Sequence, residues 1–337
     1  MGLKKLGVTL RGVMAVGAIL GVVATASVAQ AEPEIMLRAG HSSAVTSTGH
    51  KAFELLDQRL QERTNGRIGV QIFPNSQLGG ERELVESIQL GNLDMAFVSS
   101  APVASFDSRL FALDLPFVFK DRDAAFRVLD GAVGQELLGG LTNVGLVGLA
   151  FWENGFRQLT NSKQVIRTPS DLEGMKIRTM ENEVHIGTWR AVGANPSPLA
   201  FSELFTALQQ GTFDAAESPI NLFYDMKFNE VQKYISKTNH LYGAWLLLMS
   251  PDTLAMLSDE DQAILKEAVA ETTAEQRRLA VEADAKAESV MPEVTITELT
   301  PEELKAFSDL MTPVYDLVRD KAGADLVNRV IEAAQAE

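Results

Sequence analysis

Apolar residues recur at two spacings in the first half of the chain, and the alternation between them predicts strands separated by helices. Residues 67–73 alternate apolar and polar positions, which is typical of a half-buried strand. Residues 48–64 carry apolar side chains three and four positions apart, which indicates a helix. Apolar runs at 35–39 and 93–98 predict two more strands, and 81–90 predicts a second helix. Such a series predicts a parallel sheet with right-handed crossovers, which binds ligands at the carboxyl ends of its strands.

An internal similarity indicates that this unit occurs twice. Residues 83–96 and 203–216 share Glu, Leu, Gln, Gly, Asp and Ala at equivalent positions, and each has the pattern of a helix, a glycine cap and a strand. One interpretation is convergence on a common unit. The interpretation we adopt is two similar α/β lobes, in which Ser99 and the pair Glu217 and Ser218 lie at equivalent strand ends and face each other across a cleft.

Further patterns predict the elements of the second half of the chain. Residues 155–160 predict the strand that opens the second lobe. Ser170 with Glu173 predicts a capping box, and Ser202 predicts a helix N-cap. Residues 258–290 contain no Pro or Gly and predict one helix of roughly 45–50 Å, which is long enough to lie across both lobes.

The first 31 residues have the features of a secretory signal peptide. Three positive residues precede an apolar stretch at 12–24, and the run Ala29-Gln30-Ala31, with a small residue at 29 and at 31, fits a cleavage site. We predict cleavage after residue 31 and a periplasmic location; the alternative is a membrane anchor at 12–29. No other segment is long and apolar enough to span a bilayer.

The charge and the composition exclude several classes of function. The formal net charge is −15, and loss of residues 1–31 removes three positive and no negative side chains, so the secreted chain carries −15 − 3 = −18. A nucleic-acid partner is therefore not expected, because phosphate contacts need clustered Lys and Arg. The chain has no cysteine, so it has no disulfide, no thiol nucleophile and no cysteine-based metal site.

Signatures of catalysis are missing from the sequence. It contains no G-x-S-x-G elbow, no Gly-rich phosphate loop and no H-E-x-x-H motif. The four histidines lack metal-ligand spacing, and no pair of carboxylates stands out as an acid–base couple. We therefore expect a binding protein with no catalytic residue, cofactor or metal.

Two arginines are the strongest candidates for a binding site. Arg178 ends a short predicted strand at 175–179, and Arg157 lies in the strand predicted at 155–160. Guanidinium groups at strand ends can together hold one carboxylate through charge-assisted hydrogen bonds. The alternative is that each arginine pairs with an acidic side chain within the fold.

Four other residues are weaker candidates for contact with a ligand. Trp152 and Glu153 lie at the junction of the lobes, where Trp152 is equally suited to the core. Phe201 can shield the site from water or pack within the fold. His41 follows the first strand and lies at a cleft edge, where a structural role is also open.

Several motifs, taken in order, resemble those of the extracytoplasmic solute receptors of tripartite ATP-independent periplasmic (TRAP) transporters, DctP type. They include GFRQLTNS at 155–162 and DLEGMKIRTMEN at 171–182. The other motifs are the runs at 73–80, 115–117, 193–196, 201–211 and 227–234. The resemblance covers nearly the whole chain after the signal segment.

The resemblance implies an α/β, two-lobed periplasmic binding protein fold, with mixed sheets flanked by helices and a long helix across both lobes. We expect lobe I to comprise 32–154 and about 243–282, and lobe II to comprise 155–242 and about 283–337. A receptor of this family closes on a small organic acid and delivers it to membrane permease subunits. We expect it to be a monomer.

The resemblance also implies roles for three site residues. Arg178 matches the arginine that pairs with the ligand carboxylate, Arg157 matches one that often assists, and Phe201 matches a residue that packs against ligand in some members. Two positions depart from the family pattern. Ser218 replaces an asparagine that commonly hydrogen-bonds the ligand, and Ser99 stands where sugar-acid receptors place a glutamate.

These departures imply a ligand that differs from sialic acid, and we predict a dicarboxylate or a related hydroxy or keto acid. The alternatives are a sugar-acid receptor of the same family and a protein that presents its ligand to a membrane sensor.

Overall fold

The computed structural model describes Gly2 and residues 33–336. Apart from Gly2, the predicted signal segment at 1–31 lies outside the described residues, and so does the alternative of a membrane anchor there. Within the described part of the chain, no helix combines the length and the apolar character that crossing a bilayer requires.

The described residues form one connected mixed sheet with helices packed on it. Its strands are β1 (Ile35–Gly40), β2 (Ile68–Phe73), β3 (Met95–Ser99), β4 (Val147–Asn161), β5 (Lys176–Thr179), β6 (Asn195–Pro198), β7 (Ala215–Ser218), β8 (Tyr234–Met249) and β9 (Thr295–Glu298). The strand order is β2-β1-β3-β8-β4-β7-β5-β6, and β9 pairs with β8.

The helices cover the sheet and connect its strands. In chain order they are α1 (Thr48–Arg63), α2 (Glu81–Gln89), α3 (Ser100–Val103), α4 (Arg122–Asp130), α5 (Ala132–Gly140), α6 (Glu183–Ala191), α7 (Leu204–Gln209), α8 (Ile220–Asp225), α9 (Pro251–Met256), α10 (Asp259–Ser289), α11 (Pro301–Ser308), α12 (Thr312–Ala322) and α13 (Ala324–Gln335). Short 3₁₀ helices occur at Ser108–Asp114, Leu141–Val144, Pro169–Leu172, Phe201–Glu203 and Phe228–Glu230.

The parallel arrangement predicted for the first strands is confirmed, because β1 pairs in parallel with both β2 and β3. The sheet as a whole is mixed, since β8 is antiparallel to both β3 and β4. The strand predicted at 155–160 is the second part of β4, which begins at Val147. Because β4 and β8 are long, they join the strands of both halves of the chain into one sheet.

The internal repeat corresponds to a real structural unit. Gly91 and Gly211 follow α2 and α7 with φ angles of 69° and 70°, a left-handed conformation that glycine adopts without steric cost. Asp94 then accepts the backbone N–H of Arg38 at 2.8 Å, and Asp214 accepts that of Lys176 at 3.2 Å. The aspartates therefore fix β3 and β7 beside β1 and β5 in the same way.

The long predicted helix is confirmed as α10, whose N-cap Ser258 accepts the backbone N–H of Asp261. Near its start, Leu265 and Val269 belong to an apolar cluster built around α1 and β1. Near its end, Ala287 belongs to a separate cluster with α7 and Phe223. The helix is thus anchored to both halves of the chain by burial of apolar surface.

Two predicted helix caps are wrong in detail. The 3₁₀ turn at Pro169–Leu172 is capped by Thr168, whose backbone N–H donates to the carboxylate of Asp171 at 2.8 Å, so Ser170 and Glu173 do not form the box. Ser202 lies inside a 3₁₀ turn and makes no capping hydrogen bond. Both errors are a shift of one or two residues, as expected at helix ends.

Candidate functional site

A cavity lies at the strand ends where the two halves of the chain meet. Its empty volume, counted together with the solvent space at its mouth, is about 300 Å³. β3 and β5 end beside it, since Ser99, Arg178 and Met180 line it. The residues that line it are Ser42, Ser43, Glu81, Ser99, Asn154, Arg157, Arg178, Met180, Phe201, Leu222 and Trp245.

Arg178 is a buried cation that forms no ion pair with the residues that the structure describes. Its side chain is 2% exposed, and its Nε donates to the carbonyl oxygen of Leu199 at 2.8 Å. Among residues 33–336, no carboxylate lies within 4.0 Å of its guanidinium, and no protein group accepts from its two terminal nitrogens. Phe201 covers one side, with its ring centroid 5.9 Å from the guanidinium carbon.

The electrostatics of Arg178 agree with this isolation. Burial lowers the pKa of Arg178 to about 10; the carboxylate of Glu217 opposes that change, and the positive charge of Arg157 adds to it. The group stays protonated at neutral pH. A buried charge without a partner is costly, so the site is suited to an anion supplied by a ligand.

Arg157 is in a different position, because it already has a carboxylate partner. Its Nε donates to the carboxylate of Glu217, and its Nη2 donates to the backbone carbonyl oxygen of the same residue at 2.7 Å. Both side chains are at most 3% exposed. The alternative of pairing within the fold therefore holds for Arg157, although its side chain also reaches the cavity wall.

Glu217 belongs to a buried network that extends away from the cavity. Nδ1 of His185 lies 3.5 Å from its carboxylate, and Nε2 of His185 lies 3.3 Å from Asp114. On its other side, Nε2 of His240 lies 3.5 Å from Glu217. Burial by itself would raise the pKa of Glu217, but Arg157 and the two histidines outweigh it and hold the pKa well below its usual range.

The histidines of this network differ in charge. Burial acts to lower the pKa of His185, but Asp114 and Glu217 raise it above its ordinary value, which favours the imidazolium. Burial lowers the pKa of His240, so that ring stays neutral and bonds Thr238 at 2.7 Å. Arg157 and the two histidines thus surround Glu217, whose carboxylate forms its ion pair with Arg157 rather than with Arg178.

Glu81 is the acidic residue of the cavity wall. It is the first residue of α2, and its Oε1 accepts hydrogen bonds from the backbone N–H and the hydroxyl of Ser99 at 2.9 and 3.0 Å. Burial raises the pKa of Glu81, and the Ser99 hydrogen bonds and the charges of Arg178 and Arg157 oppose this. Among the described residues, no cation lies within 4.0 Å of its carboxylate and no donor bonds its Oε2.

The structure brings four of the nine predicted site residues to the cavity and leaves five elsewhere. Those that line it are Arg178, Arg157, Ser99 and Phe201. Those that do not line it are Trp152, Glu153, Glu217, Ser218 and His41.

The five residues away from the cavity have partners within the fold. Trp152 is fully buried and packs against Phe53, with ring centroids 5.4 Å apart. Glu153 accepts from Nε of Arg122 at 2.6 Å. The hydroxyl of Ser218 donates to a backbone carbonyl oxygen at 3.1 Å.

His41 is not part of the cavity wall, and its ring packs within the fold. Its ring stacks on Phe97 at 4.6 Å, and its Nε2 lies 2.9 Å from Nδ1 of His50. The side chain of Glu217 likewise lies among the buried side chains of His185 and His240. Residues at strand ends alternate between the two faces of a sheet, so neighbours in sequence diverge.

Sequence reasoning missed most of the neutral wall and the acidic residue Glu81. In the sequence, Glu81 was recognisable only as the first residue of the helix predicted at 81–90, directly after two glycines. Ser42 and Ser43 follow His41 in the first loop, and Asn154 follows the predicted pair at 152–153. Contacts between segments that are distant in sequence bring these side chains to the cavity, and a single sequence gives little indication of such contacts.

Comparisons with known proteins agree with this architecture. Residues 39–321 match the family described as Bacterial extracellular solute-binding protein, family 7, DctP. The chain is 38% identical over 299 residues to the 2,3-diketo-L-gulonate-binding periplasmic protein YiaO of Escherichia coli (strain K12), a match that covers 88% of this chain and 91% of the relative.

Two solved structures are similar over most of their length. The sugar acid binding protein DctPAm from Advenella mimigardefordensis strain DPN7T, in complex with galactonate, has a TM-score of 0.88 and 34% identity, covering 90% of this chain and 98% of that one. A TRAP periplasmic solute binding protein from Sulfurospirillum deleyianum DSM 6946, with bound succinate, has a TM-score of 0.84 and 35% identity, covering 88% and 98%.

The chain belongs to the DctP family of TRAP solute-binding proteins. The predicted two-lobed α/β fold class is confirmed by these structures. Members of the family bind small acids and work with membrane permease components, so this chain is a solute receptor rather than an enzyme.

Proposed function

We propose that the protein is the periplasmic receptor of a TRAP transporter and that Arg178 holds the carboxylate of a small organic acid. The observation that carries the proposal is the buried guanidinium of Arg178, which has no acidic partner within 4.0 Å among residues 33–336. A ligand carboxylate would supply that partner through charge-assisted hydrogen bonds.

Arg157 supports the same carboxylate in a secondary way. The pairing with Glu217 orients the guanidinium of Arg157, and the remaining edge of that guanidinium forms part of the cavity wall. The two arginines make the cavity locally positive. The acidic surface of the protein opposes this only weakly, because at physiological salt the field of a surface charge is screened beyond about 8 Å.

The ligand contacts both halves of the chain, and this is how binding favours closure. With the predicted lobe boundaries, the lining residues Ser42, Glu81 and Ser99 fall in lobe I, and Arg178 and Phe201 fall in lobe II. Only a ligand that contacts the closed form better than the open form shifts the equilibrium between them. The closed receptor then delivers the acid to the permease subunits.

A thermal-shift screen identifies the acid, and calorimetry tests the role of Arg178. The screen uses sugar acids, hydroxy acids, keto acids and dicarboxylates, because ligand at about 100 times its dissociation constant adds about 2.7 kcal/mol to stability. For the best acid, we expect Arg178→Ala to weaken binding by about a hundredfold or more, since hydrogen bonds to charged groups contribute about 1.5–3 kcal/mol each. Arg178→Lys weakens binding too, because an ammonium lacks the planar fork.

Two controls make this test specific. Arg190→Lys changes an exposed arginine at the end of α6 and should leave affinity unchanged. Erythritol matches erythronate except that a hydroxymethyl group replaces the carboxylate, so it should bind far more weakly. Equal binding of erythritol and erythronate, or an unchanged dissociation constant in Arg178→Ala, contradicts the proposal.

A further inference from the structure

Three charged side chains outside the cavity surround the point at which the predicted lobes join. Arg122 begins α4, Glu153 lies in β4, and Asp284 lies near the end of α10. Nε of Arg122 donates to the carboxylate of Glu153 at 2.6 Å, and its Nη2 donates to the carboxylate of Asp284. One guanidinium is thus shared by two carboxylates, and these three side chains together are the hinge cluster.

The strand that passes the hinge cluster is irregular at this point. The register of β4 against β8 shifts between Glu153 and Gly155, and Gly155 has a φ angle of 116°, in the region that favours glycine. A Cβ atom at Gly155 would lie 3.5 Å from Oδ2 of Asp284 and 3.7 Å from Oε1 of Glu153. The predicted lobe boundary falls at 154–155, so the hinge cluster packs against the irregular backbone that joins the predicted lobes.

Asp284 also holds the helix that reaches the ligand cavity. The backbone N–H of Asn221, the second residue of α8, donates to Oδ1 of Asp284 at 3.2 Å, and the next residue, Leu222, lines the cavity. With the predicted lobe boundaries, Arg122 and Glu153 fall in lobe I, and Asp284 and α8 fall in lobe II. The ion pair between Arg122 and Asp284 then crosses between the lobes and forms when they close.

The hinge cluster is one positive charge short. Among residues 33–336, no cation other than Arg122 lies within 4.0 Å of either carboxylate. Oε2 of Glu153 has no hydrogen-bond partner in the same part of the chain, although the side chain is fully buried. With both carboxylates ionised, the cluster therefore holds two negative charges and one positive charge in a largely buried place, which is costly.

The surrounding groups do not supply the missing charge. Arg277 is bound by Asp130 at 2.6 and 2.8 Å, and Glu288 is bound by Lys237 at 3.0 Å. Tyr242 stays neutral, because burial holds the pKa of its hydroxyl well above the ordinary value. The charged and titratable groups around the cluster and α8 are Arg277, Lys286 and Glu288 of α10, Asp130 of α4, Lys237 and Tyr242 of β8, Lys51 of α1 and Asp225 of α8.

We propose that the hinge cluster is a proton-linked switch: when the lobes close on a ligand, the two carboxylates take up a proton, so acidification strengthens ligand binding. The switch rests on the proposed function, because ligand-driven closure is taken as given. It does not depend on which acid the cavity holds.

The sign of the effect follows from the two states of the cluster. In the closed form, burial raises the pKa of Asp284 to about 6 against the attraction of Arg122, and burial raises the pKa of Glu153 as well. In the open form, water hydrates Asp284 and Arg122 pairs with Glu153 alone, so both carboxyl groups have ordinary or lower pKa values. The closed form therefore binds the proton more tightly, and the effect grows as the pH falls through about 6.

Isothermal titration calorimetry on the full secreted chain tests the switch, with erythronate, galactonate and succinate as probes. At pH 5.5, titrations in two buffers of different ionisation enthalpy give the number of protons taken up with the ligand. A carboxyl group whose pKa rises from its ordinary value of 3.8 to about 6 takes up about 0.7 proton at this pH. The same shift strengthens binding about fourfold between pH 7.5 and pH 5.5.

Asp284→Asn and Glu153→Gln are the decisive variants, because each keeps the shape of its side chain and leaves one carboxylate for one guanidinium. In both, we expect proton uptake at pH 5.5 to be smaller than in the wild type by about 0.7 proton, and the fourfold gain in affinity to be lost. Protonation of the ligand itself and of groups outside the cluster is common to all these proteins and cancels in the difference.

A matched control and a folding check accompany these variants. Glu282→Gln alters an exposed carboxylate of the same helix and should keep the proton uptake of the wild type. Thermal unfolding at pH 7.5 and pH 5.5 verifies that each variant folds, and if one carboxylate variant does not fold, the other tests the switch by itself.

The outcomes separate the switch from the proposed function. Proton uptake that either amide variant leaves unchanged, or release of protons by the wild type relative to the variants, overturns the switch while the protein still binds its acid. If none of the three probes binds, or if Arg178→Ala binds them normally, the proposed function fails and the switch fails with it.

Discussion

Arg157 and Glu217 form a two-point contact in which Nε of the arginine donates to the carboxylate and Nη2 donates to the backbone carbonyl oxygen at 2.7 Å. The contact joins β4 to β7 across 60 positions of sequence, and both residues are almost completely buried. Because Glu217 is occupied in this way, it does not neutralise Arg178. The pair thus gives Arg157 a structural role and leaves Arg178 available to a ligand.

The first prediction concerns the stability of this pair. Glu217→Gln should lower the free energy of unfolding by about 3–5 kcal/mol, because it leaves the buried charge of Arg157 without a counter-ion. Urea denaturation at pH 7.5 measures the change. Glu173→Gln, at an exposed position, should remain within about 0.5 kcal/mol of the wild type. A loss of less than about 1 kcal/mol in Glu217→Gln would show that the pair contributes little.

The second prediction concerns pH and His41. Burial lowers the pKa of His41 to about 3, with a further contribution from His50, whereas the unfolded chain has the ordinary value of 6.5. Between these values the unfolded state binds the proton and the native state does not. Stability is therefore lost as the pH falls below about 6.5, at about 1.4 kcal/mol per pH unit for this group.

Comparison of the wild type with His41→Gln isolates that contribution. Between pH 7.5 and 5.0, the loss of unfolding free energy should be smaller in the variant by about 2 kcal/mol. Denaturant titrations at the two pH values measure both losses, and the comparison is unaffected by a uniform loss of packing against Phe97. Equal losses in the two proteins would contradict a neutral His41 in the native state.

The third prediction concerns the contact between Thr46 and Asp225. The hydroxyl of Thr46, in the loop after β1, donates to the carboxylate of Asp225, the last residue of α8, at 2.9 Å. If the two belong to different lobes as predicted, this bond is made when the lobes close. Thr46→Val should then weaken ligand binding by about threefold, because the contact is partly exposed and its contribution is modest.

Stopped-flow kinetics test where that effect arises. We expect faster dissociation of the ligand with little change in association, since the bond stabilises the closed state. Thr46→Ser keeps the hydroxyl and serves as the matched control. An unchanged dissociation rate in Thr46→Val would argue that the contact does not act in closure, or that the lobe boundaries differ from those predicted.

The order of strands and helices was predictable because it depends on local chemistry. Apolar spacing indicated β1 to β3 and the helices between them, and the glycines at 91 and 211 marked equivalent turns. The antiparallel pair of β4 and β8 was not predicted, because residues 147–161 and 234–249 recognise each other over a long separation in sequence. Neither segment by itself contains a pattern that identifies the strand with which it pairs.

By itself, the sequence determined the family, the helix–glycine–strand repeat and the delivery of Arg178 to a strand end. Tertiary structure decided which charges remain unpaired there. Arg157 and Arg178 have the same chemistry and similar local patterns, and only the packing of β7 against β4 gives Glu217 to Arg157. Packing of α2 beside β3, where Ser99 donates to Glu81, brings Glu81 to the cavity in the same way, because burial and ion pairing depend on neighbours in space.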